Sequence, residues 1–500
     1  MRKDQIFFWS IISFVGGVMN GSFFIVQLPA ILLCVAIYIA IYSVFPRKTI
    51  GIAGILLMMW TGGTFLTLHK IQEFVEETYF YGEEITGIVR IVADPEEKAF
   101  FQKIIVHFES CENKRCPKKD ILWQAPRTFT LEAGDRFSFS CLLEEPKNFD
   151  LNFDYRMFHV KAGISAVCQK ATQAEILVEK DTSGTLFALL YKPKHAFEKS
   201  LSQSITEPEA GLAKGLLLGG DDYLPRSLDD MFKRLGLTHI VAVSGYNITI
   251  IAECFLIVGI ALGLWRKQAL WAALVIIALF ILMIGAPASA VRAGVMAFVV
   301  FGALQTGRLS RSVNTLLLAA GIMLLFNPLL LRYDIGFQLS VLATLGIIIS
   351  SSWQEYYLPH EFFGKSFVEI ILMTIAAEIF VLPVILFNFQ MFSPLMLVAN
   401  SLLLPLVPYA MGLSFVAASA FLVLPGLHVI FSWIAYAVLL SMTRLVEVFG
   451  GLSFASLVAS HFGVLALITW YGVLFFVIVK GEQYRKRKIY AQAFSHLESR

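Results

Sequence analysis

Residues 211–253 read GLAKGLLLGGDDYLPRSLDDMFKRLGLTHIVAVSGYNITIIAE, and the chain changes character within them. A charged amphipathic segment runs without a loop into an apolar one that carries His239, Ser244, Gly245, Asn247 and Glu253. Polar side chains are costly in hydrocarbon, so a span that holds them turns them toward protein or water. Ser244 and Asn247 are three apart, and Thr249 and Glu253 four apart, so each pair shares a helix face. The stretch reads as the opening onto a buried, wet region of a membrane protein.

Composition agrees. Of 500 residues, 57% are hydrophobic and 15% charged, with a mean hydropathy of +0.70. That apolar surface is too large for one soluble core and predicts a polytopic α-helical membrane protein. The net charge of +3 says little about partners.

Three apolar runs at 6–22, 23–45 and 50–68 each approach the ~20 residues a spanning helix needs, and define an N-terminal membrane segment over 1–69. Arg2, Lys3, Arg47 and Lys48 place the N-terminus and the first basic loop in the cytoplasm. The short first loop and the lack of a small-x-small site argue against a cleaved signal peptide. Nine further runs follow at 238–264, 268–287, 288–306, 313–331, 335–353, 367–389, 391–424, 428–450 and 455–480. About 12 spans are therefore expected, with both termini cytoplasmic and a basic tail over 481–500. The 391–424 run contains Pro394, Pro405 and Pro408 and reads as a broken or re-entrant pair.

Residues 70–181 alternate in the manner of strands, at 85–92, 103–109, 127–131, 136–143, 157–168 and 176–179. They predict an extracytoplasmic β-barrel of the oligonucleotide-binding (OB-like) type inserted after the third span, with a sandwich as the alternative. Cys111, Cys116, Cys141 and Cys168 lie in it, and outside the cytoplasm disulfides are their natural state, Cys111 with Cys116 closing a loop tip. Neither half has the tight C-x2-C spacing of a four-cysteine zinc site, so no metal is expected. Cys254, in an apolar run, reads as a buried small residue. Residues 182–237 form an amphipathic connector, either an interfacial helix or a soluble segment packed on the domain.

Acidic residues outnumber basic ones across 70–181, which opposes a broad phosphate-binding surface. Lys114, Arg115, Lys118 and Lys119 are the exception and are the candidate DNA contacts of this domain. Trp123, Phe129, Phe137 and Phe139 offer stacking faces, but alternation makes the aromatics core in the favoured reading.

Within 238–480, Arg292 follows Pro287 and Ser289 among small residues and needs an acid, a carbonyl or an anionic passenger. Ser244, Asn247, Arg292, Gln338, Asn388 and Asn400 are the candidates for lining a channel or contacting DNA. His239, Glu253, Asp334, Glu369 and Glu378 make a candidate intramembrane polar network, in which Arg292 pairs with Asp334, Glu369 or Glu378 if its role is to fix helix register. Catalytic motifs are missing: His360-Glu361 lacks a second histidine, Gly364-Lys365-Ser366 lacks its upstream glycine, and Ser244-Gly245 lacks the glycine of a nucleophile elbow. No enzyme activity and no cofactor are expected.

LLLGGDDYLP (216–225), THIVAVSGYNITIIA (238–252), SAVRAGVMA (289–297) with GRLSRSVNTLLLAAGIMLLFNPLLL (307–331), DIGFQLSVLATLG (334–346) and VLPVILFNFQMFSPLMLVANSLLLPLV (381–407) resemble, in this order, the competence domain of the ComEC family of DNA-uptake proteins. FDYRMFHVKAGISA (153–166) resembles the end of that family's extracytoplasmic domain. The resemblance implies a channel in the bacterial inner membrane that passes single-stranded DNA during natural transformation. It implies a DNA receptor outside and an ATP-driven DNA-pulling helicase inside as partners, the latter because the chain shows no nucleotide-binding motif. Longer members carry a metallo-β-lactamase-like domain, and no His-x-His-x-Asp-His cluster occurs here, so a separate nuclease is expected. A transporter or membrane-embedded enzyme for a small anionic substrate is the alternative.

Overall fold

The computed structural model describes residues 3–23, 48–77, 80–97, 101–112, 116–129, 131–147, 154–169, 171–179, 186–220, 223–241, 243, 245–305, 312–357, 365–423, 426, 428–459 and 462–498. The chain opens with α1 (Lys3–Phe23) and α2 (Lys48–Glu77), which pack along each other. Hydroxyl groups join them: Ser13 Oγ donates to the Leu56 carbonyl at 2.6 Å and Thr64 Oγ1 to the Gly17 carbonyl at 3.0 Å. Such bonds hold helices together where lipid removes the hydrophobic drive for association.

The β domain comprises β1 (Glu84–Ile91), β2 (Glu96–Glu97), β3 (Gln102–Cys111), β4 (Asp120–Ala125), β5 (Arg136–Leu142), α3 (Tyr155–Lys161), β6 (Ile164–Cys168) and β7 (Ala171–Glu179). They form one sheet in the order β6-β4-β3-β1-β5-β7, with β2 beside β3 and only β4 and β6 parallel. A single antiparallel bridge, Glu144 to Val167, ties the extension of β5 to β6. Alternate residues of β1 and β3 turn inward with Trp123, Phe137 and Phe139, whose rings lie 5.1–5.8 Å apart. These three aromatics are buried core and offer no stacking face.

Two expected strands are corrected. Within 127–131, Arg127 and Thr128 form a turn, and the strand lies just before it, at Asp120–Ala125. The 157–168 run divides into helix α3 and strand β6 because Asp154 accepts the Met157 N–H at 3.0 Å and caps the helix, while Gly163 at φ +82° ends it. A cap of this kind outweighs the modest β-propensity of Phe158 and Val160.

The cysteines pair as Cys111–Cys116 and Cys141–Cys168. Loop closure over 27 residues favours the second bond by about 3.5 kcal/mol, against about 2 kcal/mol for the five-residue loop. Thermal unfolding of the purified protein is expected to fall further for Cys141→Ser/Cys168→Ser than for Cys111→Ser/Cys116→Ser.

After the domain come α4 (Leu186–Ser204), α5 (Glu209–Leu218), α6 (Arg226–Arg234), α7 (Thr238–Val241), α8 (Gly245–Ala261), α9 (Arg266–Met283), α10 (Ala288–Gln305), α11 (Ser312–Phe326), α12 (Leu330–Tyr333), α13 (Ile335–Tyr357) and α14 (Lys365–Phe389). The rest is β8 (Met391–Phe392), α15 (Met396–Leu403), α16 (Val407–Val423), α17 (His428–Gly450), β9 (Leu457–Val458) and α18 (Val464–Glu498). Among the described residues nine helices are long and apolar enough to cross a membrane, and two shorter apolar ones lie within α10 and α11. The chain is thus a multi-pass helical membrane protein; the expected span at 23–45 falls outside the described residues. The proline-rich 391–424 run becomes β8, which pairs with β9, and then one bent span in which the 3-10 turn Leu404–Leu406 joins α15 to α16. Helix α5 is almost wholly buried among α4, α16 and α17, and α6 turns Leu228 and Phe232 inward beside α17. Cys254 is exposed on α8, correcting the buried reading.

Charged contacts at several points join the β domain to the helices, among them Lys119 with Glu73 of α2 at 3.2 Å. Lys161, at the end of α3, pairs with Asp334 at 2.6 Å, and Asn327 Nδ2 donates to the Lys161 carbonyl at 2.8 Å. Asp94, between β1 and β2, faces Lys194 at 3.1 Å and His195 at 3.4 Å on α4, and the next turn adds Glu198, which accepts from Tyr223. Hydrogen bonds with Asp94 and Glu198 lift His195 to about 10. Because the folded value exceeds the ordinary one of 6.5, this stabilisation is complete below about pH 6.5 and lost as pH rises through about 10. The melting difference between the natural protein and His195→Gln is accordingly expected to be widest near pH 6 and to close toward pH 10.

Candidate functional site

The site forms where α7 ends at Val241 and α8 begins at Gly245, with buried Val243 between them. Helix α5 closes one side, and glycine permits the approach: a β-carbon on Gly215 would meet Val241 Cγ1 at 2.6 Å, and one on Gly219, at φ +80°, would meet Val243 Cγ2 at 2.6 Å. Asn247, 1% exposed, donates from Nδ2 to the Leu216 carbonyl at 3.1 Å and locks α8 to α5.

Helix α10 closes the other side. Ser289 Oγ donates to the Val243 carbonyl at 2.7 Å. Less than one turn further on, Arg292 reaches back toward the start of α8, its Nη2 at 3.8 Å from where a β-carbon on Gly245 would stand. Arg292 is only 5% exposed, and its Nε and Nη1 have no hydrogen-bond partner among the described residues. Val243, Ile248, Ile277, Ile281 and Ala290 form the buried apolar cluster of this region, against which the neighbouring Val291 and Ala293 pack.

A buried guanidinium without a counter-charge is costly and is held in place only by the packing around it. The first amides of α8 point the same way, since the initial N–H groups of a helix lack intrahelical acceptors and carry partial positive charge. Both features favour an anion, and a planar guanidinium fork suits phosphate in particular.

The chain matches the competence protein family over residues 216–483, more than half of its length and a stretch that contains Gly219, Val243, Asn247, Ser289 and Arg292. The chain belongs to the competence protein family. This competence protein is also 27% identical over 285 residues to ComE operon protein 3 of Bacillus subtilis (strain 168), across 55% of its own length and 34% of that relative's. It thus aligns with about a third of the curated relative. No solved structure matches it.

The other predicted residues of this competence protein are dispersed. Ser244, Lys114 and Arg115 lie outside the described residues. Gln338 Nε2 donates to the Leu331 and Arg332 carbonyls at 2.9 and 3.0 Å, fastening α12 to α13, and Asn388 donates to Val384 within its own helix. Asn400 is buried, its Oδ1 unpartnered among the described residues, on α15 beside His239, whose Nδ1 lies 3.1 Å from the Gly236 carbonyl. Glu253 is exposed on α8, and Glu369 and Glu378 are half-buried on α14. The suggested polar network is therefore spread over separate elements, and the suggested pairing of Arg292 with Asp334 is corrected: Asp334 is taken by Lys161. Lys119 pairs with Glu73 at 3.2 Å, and Lys118 is exposed. Sequence reasoning missed Lys161, Lys194 and His195, ordinary basic residues whose partners lie 100 or more positions away for Lys194 and Lys161.

Proposed function

We propose that the chain conducts single-stranded DNA across the bacterial inner membrane during natural transformation, with Arg292 and the first amides of α8 receiving the backbone phosphates. The observation that carries this reading is the guanidinium of Arg292, buried where a helix begins with its Nε and Nη1 unpartnered among the described residues. A charged strand crosses hydrocarbon only beside donors, cations or water, and such a group lowers that barrier. Membership of the competence protein family and the similarity to ComE operon protein 3 support it. The pairing of Asp334 with Lys161 also fits, because an unpaired carboxylate on the path would repel phosphate.

In this reading the β domain is an OB-like barrel on the extracytoplasmic side, where its disulfides are stable, and both termini face the cytoplasm with the basic loops. The sheet order and the Glu144–Val167 bridge support the barrel. The domains run 1–69, 70–181, 182–237, 238–480 and 481–500. The chain transports without chemistry of its own, in the company of an outer DNA receptor, a nuclease and an ATP-driven helicase that pulls the strand.

Labelled DNA is followed into a nuclease-protected, cytoplasmic form in cells with and without the gene. Surface-bound DNA is expected to persist on deletion while protected DNA is lost and growth is unaffected. Unchanged import would overturn the reading and favour a small anion as the passenger, which the same guanidinium would also suit.

A further inference from the structure

Beneath the β domain, the last turns of α2, the residue before β4, the turn between α3 and β6, and the end of α11 line an open pocket of about 240 Å³. Its charged lining is Lys70, Glu73, Lys119 and Lys161, with Phe74 and Phe326 as its large apolar members. Glu73 Oε2 accepts from both Lys70 and Lys119, each at 3.2 Å, while Lys161 is matched by Asp334. One carboxylate thus serves two ammonium groups, and among the described residues the lining carries more cations than anions. Both lysines are about a third exposed and so reachable from outside.

Position identifies the ligand. Lys70 and Glu73 fall in the last six residues of the span Ile52–Val75, the level at which a helix leaves hydrocarbon for headgroups. At the cavity's edge the apolar helix α11 ends in Leu325 and Phe326, and Phe326 is 81% exposed, turned out of the bundle. Ammonium groups beside an outward apolar flank match an amphiphile: a phosphate on the lysines and an acyl chain along the helix. A polynucleotide would need a groove that tracks its backbone over several nucleotides, whereas a pocket of this volume takes one phosphate group.

We propose that this cavity binds the headgroup phosphate of a membrane phospholipid, with a preference for an anionic one, and thereby seats the β domain on the bilayer. The bound lipid acts beside the Lys161–Asp334 pair, which fixes the same end of the domain to α12 and α13. The proposal is independent of what the bundle transports, since it uses none of the residues around Arg292.

The full-length protein, purified in detergent, is titrated with phosphatidylglycerol or phosphatidylcholine and the retained lipid counted by native mass spectrometry. Phosphatidylglycerol is expected to be retained at least fivefold more strongly. Lys70→Gln/Lys119→Gln is expected to abolish that preference. Glu73→Gln, which removes the competing carboxylate and keeps both lysines, is expected to strengthen it, so the outcome does not depend on the double variant folding. Equal retention of the two lipids, a preference unchanged in both variants, or displacement of the lipid by a short single-stranded oligonucleotide would each overturn the proposal, the last assigning the cavity to DNA.

Discussion

Arg292→Gln is expected to lower DNA import by about a hundredfold, which corresponds to ~2.7 kcal/mol on the limiting barrier, while the folded protein becomes no less stable. The two halves of this result have one cause. Among the described residues Arg292 is buried with Nε and Nη1 unpartnered, so the folded state bears a desolvation cost that a neutral side chain removes. In the proposed role the charge serves the passing phosphate, and its loss would leave the strand beside the apolar cluster of Val243, Ile277 and Ile281. Arg292→Lys keeps the charge but not the planar fork and should fall between the two. Import measured with melting temperature separates this role from a structural one, in which both would decline together.

Asp334→Ala is expected to destabilise the protein by about 3–5 kcal/mol, the usual cost of stranding one member of a buried ion pair. Lys161 and Asp334 meet at 2.6 Å with both side chains nearly nine-tenths buried. Asp334 Oδ1 also accepts the Phe337 N–H at 2.8 Å at the start of α13, so a helix cap worth about 1 kcal/mol is lost as well. Asp334→Asn retains the cap and isolates the charge, and should cost less. The reversed pair Lys161→Asp/Asp334→Lys is expected to recover part of the loss in thermal unfolding; no recovery would show that the cap and packing dominate.

The spans were legible because about 20 consecutive apolar residues have few other physical uses. The isolation of Arg292 was half legible: a charge among Ala288, Ala290, Ala293 and Gly294 signals function or pairing, and only the fold decides which. The carboxylates offered as its partners sit elsewhere, Asp334 with a lysine of the β domain. That lysine carries no local signal, since Lys161 ends a short helix that sequence alternation presents as a strand. Inside the β domain the alternation of β1, β3 and β5 located the core, including Phe137 and Phe139 of β5, yet β4 was displaced because DILWQA carries three consecutive apolar residues and little alternation. The contacts that seat the domain on the helices were invisible, as each joins residues brought together only by the fold.

The most direct test places a photoreactive residue at Ser289, whose hydroxyl touches the Val243 carbonyl beside the start of α8, and illuminates cells during uptake of labelled DNA. Passage of the strand past Arg292 predicts a covalent adduct between this chain and DNA that disappears when Arg292→Gln is added. Undiminished import with no adduct at this position, while the same residue on the β domain does capture DNA, would contradict the route and the role assigned to Arg292.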